Sequence, residues 1–337
     1  MSIVRLAYAH FRTRVRMIWP PLGEARGVRQ SPLSQRERQQ TSMLIVQLAL
    51  VSETRTNQIS PSQLTRVAAA LQKQATRDFG PLWDVNATVD AFDRLEDVPV
   101  GYWPLIVVDD VPDAAGYHTD ENGQPFSLIE FGASWSLTAS HEMLEMCADP
   151  FGNRLVAGKS PHPDQGMVEF LVEVSDPSEA EEFGYTINGM LVSDFFTPRF
   201  YDPVPVEGAR YSFGGHIKKP RQVLRGGYIS WREPVLDEWW QQTWFKGNEP
   251  TFRSLGSLTG SGSLRAAIDA KTKTVSRLAA SGPASKSYSA AKALTARAKE
   301  STNARAEAWR VQIESLKASN PAAKAWKGKG KGKGTGK

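Results

Sequence analysis

Residues 134 to 150 read SWSLTASHEMLEMCADP, and a stretch of that kind leaves few folds open. Leu137, Met143, Leu144 and Met146 make it apolar enough for a core helix, and Asp149-Pro150 stops it. Yet His141, Glu142 and Glu145 place three ionisable groups within five residues of that helix. Buried charge is costly unless paired or bound to a metal, so the fold must bring a partner to this stretch. Residues four apart on a helix share a face, with Cβ atoms about 5–6 Å apart. His141 and Glu145 therefore point the same way, at a separation that two ligands of one ion can span. Glu142 stands beside the first of them, placed to reach a water on that ion. The rival reading is a half-exposed helix whose His–Glu pair is satisfied by hydrogen bonds.

This geometry is that of the H-E-x-x-H zinc helix with a carboxylate in place of the second imidazole. With five His and twenty Glu in 337 residues, an H-E-x-x-E arises by chance about 0.02 times. Zinc accepts carboxylate oxygen at about 2.0–2.2 Å, so Zn2+ is the expected cofactor. The added negative charge also suits other divalent metals. A third donor is needed, and LVEVSDP offers Glu173 and Asp176. Glu173 is the preferred ligand, with Asp176 as a further ligand or an orienting group. His118 in GYHTDENGQPF competes for the role, because it precedes a strand that should flank the cleft.

The fold class expected is α+β. MLIVQLALV from Met43 reads as a buried strand. Ser60-Pro61-Ser62-Gln63 starts a helix, with Ser60 as N-cap and Pro61 in its first turn. Leu64, Val67, Ala68, Leu71 and Ala75 then recur at helical spacing. Val85 to Ala91 alternates as a half-buried strand, PLIVVDD is another, and after a polar loop FSLIEF is a fourth, followed by the helix of His141. Beyond residue 150 the chain reads as a loop-rich subdomain to 250, closed by a helix carrying Trp231, Trp239, Trp240 and Trp244.

Charge is segregated. Residues 1–42 carry eight Lys and Arg against two acids, residues 43–250 carry 15 against 30, and residues 251–337 carry 18 against four. The body, 43–250, divides into a sheet and metal helix at 43–150 and the loop-rich part at 151–250. The sequence reads as flanking it with a basic leader at 1–42, expected to be disordered, and a basic Ala/Lys/Gly-rich tail at 251–337, with one helix expected at 288–318. GSLTGSGS at 256–263 reads as a linker. One cysteine, Cys147, excludes an internal disulfide framework and a Cys-rich zinc site. No apolar run approaches the roughly 20 residues of a membrane span, and the lack of a secretory signal predicts a cytoplasmic protein.

The order strand–helix–strand–strand–strand–helix, with SHEMLEMCADP followed by VEVSDP and VSDFFTPRFYDP, resembles zincin-like metallopeptidases, and within them a group of uncharacterised bacterial and phage members. The resemblance covers residues 43–235. It implies a zincin-like mixed sheet, His141 and Glu145 as ligands, Glu173 as the third, and Glu142 as general base. It also implies a peptide or protein substrate. Tyr201 or Tyr185 would donate to the developing oxyanion, and FSLIEF would be the edge on which an extended substrate pairs. Two other classes are expected to compete: a catalytically silent metal-binding scaffold or assembly protein, and a polyanion-binding protein. The second would contact nucleic acid weakly through the phosphate-neutralising Lys and Arg of residues 251–337.

Overall fold

The computed structural model describes residues 45–55, 58–111, 114–258 and 264–276. The leader at 1–42 and the helix expected at 288–318 lie outside them. The chain is α+β. Strands β1 (Ile45–Ser52), β2 (Asn86–Phe92), β3 (Trp103–Val108), β4 (Gly116–Glu121) and β5 (Gln124–Glu130) form one sheet in the order β2-β1-β3-β5-β4. All neighbours are parallel except β4, which runs antiparallel to β5. The near-continuous apolar run of β1 follows from burial on both faces. Leu48 and Leu50 join the main core, while Ala49 and Val51 join a second cluster on the opposite face.

Helix α1 (Pro61–Lys73) packs on this sheet through Leu64, Val67, Ala68 and Leu71, and Ser60 Oγ accepts the Gln63 N–H at 3.2 Å as expected. The helix then widens into a π-helical stretch, Gln74–Phe79, before one last turn, α2 (Gly80–Trp83). The wider turn brings Gln74 against α3 (Trp135–Ala148), where its Oε1 accepts from Ser140 Oγ at 2.7 Å. Ser193 N–H donates to the same Ser140 Oγ at 2.9 Å, and Gln74 Nε2 donates to Ser193 O at 2.9 Å. This closed polar ring fixes the residue next to His141.

FSLIEF is not an edge. Strand β5 lies between β3 and β4, so both sides of its backbone are already paired and β4 takes the edge. The polar residues 116–121 form that strand because Asn122 and Gly123, with φ of 54° and 77°, close a tight hairpin whose twist matches the two strands.

The part after residue 150 is more regular than its sequence implies. Strands β6 (Leu155–Lys159), β7 (Met167–Leu171), β10 (Tyr228–Glu233), β11 (Glu238–Thr243) and β12 (Thr251–Gly256) form an antiparallel sheet in the order β12-β11-β10-β7-β6. A hairpin, β8 (Tyr185–Ile187) and β9 (Met190–Val192), stands apart from it. Three of the four clustered tryptophans lie on strands, not on a helix. Trp231 in β10 faces Trp240 in β11 across the ladder, beside Trp239, and Asp237 at φ 56° turns the chain between them. Nor does the folded body stop at 250, since β12 completes the sheet and α4 (Leu264–Ser276) follows it.

Trp231 is fully buried, packs on Phe170 and Phe252, and donates its indole N–H to Gln165 Oε1 at 2.8 Å. Trp231→Ala is expected to cost about 3–5 kcal/mol of stability, read as a fall in the denaturant midpoint. Among the described residues no helix is long and apolar enough to cross a membrane.

Candidate metal centre

Helix α3 is buried along nearly its whole length and packs against β4, β5 and β9. It ends where Asp149 caps the last turn. Asp149 N–H donates to Glu145 O at 2.7 Å, Arg154 N–H donates to Asp149 Oδ2 at 2.6 Å, and Arg154 Nη1 donates to Ala148 O at 2.8 Å. A cation on the last carbonyls of a helix also complements its dipole.

His141 and Glu145 do face the same way, with Nε2 3.2 Å from Glu145 Oε2. The third donor at this point is Asp176, in the 3-10 turn Asp176–Ser178 beyond β7, with Oδ1 3.3 Å from His141 Nε2. Two donors on a tetrahedral zinc at about 2.0–2.2 Å stand about 3.3–3.6 Å apart, so these spacings suit one small divalent ion. All three side chains are buried. Asp176 Oδ1 accepts no well-aligned hydrogen bond among the described residues, and the positive group that faces it is His141 Nε2 at 3.3 Å. The donor set of one imidazole and two carboxylates fits zinc or a somewhat harder ion.

His118, the competing candidate, lies on β4 and is fully enclosed. Its Nδ1 faces Glu142 Oε2 at 3.4 Å and Glu145 Oε2 at 3.7 Å, and its Nε2 meets Asp149 O at 3.1 Å. It therefore groups with Glu142 and Glu145, not with His141. Glu173, the ligand preferred from sequence, belongs to neither three-donor group. Its Oε2 is instead bound by Arg265 Nη1, which also donates to Glu145 Oε2 at 2.7 Å. Glu145 Oε1 accepts the Ser175 N–H at 3.2 Å.

The electrostatics follow from burial set against neighbours. Burial opposes the charged form of His141, but Glu145, Asp176 and Glu142 outweigh it and hold the imidazole well above its usual range. Burial likewise opposes ionisation of Glu145, yet His141 and Arg265 hold that carboxyl well below the ordinary value. Burial pushes Asp176 up to about 6, with Glu145 adding to the rise against Arg265 and His141. Glu173 is driven well above its usual range by burial, against Arg265 and with Glu145 and Asp176 reinforcing. Without a metal, the proton on His141 neutralises what a divalent ion otherwise would.

A cavity of about 310 Å³ opens onto His141, Glu142 and Asp176, walled by Gly116, Tyr228 and Phe245. Strand β4 passes so close that a Cβ on Gly116 would stand 2.7 Å from Thr138 Cγ2 and 3.0 Å from Glu142 Oε1. Neither tyrosine proposed from sequence lines this space. Tyr185 donates to Asp78 Oδ2 at 3.0 Å, and Tyr201 meets Phe170 at a tilt and Phe196 and Phe200 edge to face. Tyr228 does line it, from β10. No sequence signal marks it, since the two sheets meet there only in space. Compared with family models and with curated proteins the chain matches none, so its functional reading rests on this geometry.

Proposed function

We propose that the chain is a metal-dependent hydrolase of the metallopeptidase type, with His141, Glu145 and Asp176 as the ligand set. The observation that carries this reading is the convergence of three buried donors at the foot of a cavity, with Glu145 and Asp176 oxygens 3.2 and 3.3 Å from His141 Nε2. A divalent cation bound there supplies Lewis acidity toward a carbonyl and toward water. Glu142 serves as general base, its carboxylate taking the proton from the attacking water and returning it to the leaving amine. His118 holds Glu142 through Nδ1 and is itself held by the Asp149 carbonyl at Nε2, so it is a positioning residue. Tyr228 is the hydroxyl in the cavity wall available to the substrate oxygen. Of the two edge strands of the first sheet, β4 is the one whose Gly116 lines the cavity, and it is assigned to an extended substrate.

Elemental analysis of the purified full chain tests the reading, with about one equivalent of zinc or a related divalent metal expected. Absence of stoichiometric metal after zinc loading sinks it. A second reading, a catalytically silent charge-balanced scaffold, draws on Arg265, which already offsets Glu145 and Glu173. A metal-free, fully stable protein would favour it and would at the same time remove the metal-binding scaffold expected from the sequence. The polyanion reading now concerns a shorter segment, because 251–256 and 264–276 are part of the fold.

Gly116 provides a check on Glu142. Gly116→Val is expected to displace that carboxylate and lower turnover about 100-fold, while zinc content stays unchanged.

A further inference from the structure

Arg265 is a buried charge that this mechanism does not use. It sits on α4, is 4% exposed, and its Nη1 binds both Glu145 Oε2 and Glu173 Oε2. The Glu145 oxygen it occupies is the one 3.2 Å from His141 Nε2. Asp269, one turn along α4, accepts from Arg265 Nε at 2.9 Å and sets the direction of the guanidinium. A guanidinium and a divalent ion on one carboxylate oxygen repel each other and compete for the same lone pairs. Glu173 Oε1 meanwhile has no donor among the described residues. Two carboxylates are thus arranged around a cation, and the chain fills part of that place itself.

Among the described side chains of the helix that delivers Arg265, Ile268 is the buried apolar one and Leu264 packs partly buried beside it. Ile268 packs with Leu171, Trp239 and Leu255 in a cluster separate from the main core. Polar anchors join them: Gln241 Nε2 to Thr272 Oγ1 at 2.9 Å, Arg265 N–H to Gly152 O at 2.9 Å, and Lys271 Nζ to Leu255 O. Elements with few buried apolar contacts open at lower free energy than the core they rest on.

We propose that α4 and a divalent cation compete for the Glu145 and Glu173 carboxylates, with Arg265 as an internal plug whose withdrawal frees Glu173 to become a fourth donor. This regulation rests on the metal-site reading. Zinc titration by calorimetry of full-length wild type, Arg265→Gln and Arg265→Lys tests it, together with hydrogen exchange of residues 264–276 in wild type with and without zinc. Arg265→Gln is expected to bind zinc about tenfold or more tightly than wild type, as removal of a close competing charge implies. Arg265→Lys keeps the charge and should stay near wild type. Zinc should accelerate exchange across α4. If Arg265→Gln requires metal to fold, as two unpaired buried carboxylates would make it, wild-type exchange still decides. Zinc binding with α4 protection unchanged or increased overturns the plug and leaves the metal site standing. No zinc binding by any of the three proteins overturns the site itself, and the plug with it.

Discussion

On the proposed function, Glu142→Gln is expected to leave the chain folded and zinc-loaded but to lower peptide-bond hydrolysis about 10²–10⁴-fold, the usual worth of a positioned general base. The change preserves shape and the contact toward His118 Nδ1 while removing the group that accepts a proton. Glu142 lies outside the His141–Glu145–Asp176 group, so metal content should match wild type. A fluorogenic peptide mixture assayed beside elemental analysis reads both quantities. Equal hydrolysis in variant and wild type would remove Glu142 from the reaction. Loss of metal in the variant would instead place it among the ligands, with His118 and Glu145.

His141→Ala has the larger effect on binding. Loss of even an outer partner of a metal ligand costs about 10–100-fold in affinity, so loss of the imidazole itself should exceed that range. His141 is the only nitrogen donor in its group, and its removal leaves Glu145 and Asp176 facing one another across a buried gap. The metal-free variant should also be less stable than metal-free wild type at neutral pH. The sign follows from the folded-state shift: the imidazole is raised well above its usual value, so its proton adds stability below the folded pKa and that stability is lost as pH rises through it. Thermal melts of the two metal-free proteins against pH should therefore converge at high pH. A constant gap across the range would assign the loss to packing alone.

Much of the first sheet was legible in the sequence because its signals are local. The capped start at Ser60-Pro61, the apolar spacing from Leu64 to Ala75 and the run in β1 act through neighbours along the chain. The strand at 116–121 was hidden by its polarity, although Asn122-Gly123 marks a hairpin turn. The second sheet was illegible for another reason. Its strands are short, interrupted and distant in sequence, with β7 pairing β10 across residues 170 and 231. The tryptophans there carry no period that separates a strand from a helix.

The candidate site divides along the same line. One helical turn is enough to put His141 and Glu145 on one face, so that pair follows from the sequence alone. The third donor comes from a loop beyond β7, and choosing Asp176 over Glu173 depends on how a 3-10 turn aims two carboxylates only three residues apart. Arg265, 120 residues from Glu145, reaches it only because α4 docks beside the second sheet. Spacing along a helix is set by covalent geometry. Convergence across loops is set by packing, and only the tertiary structure decides it.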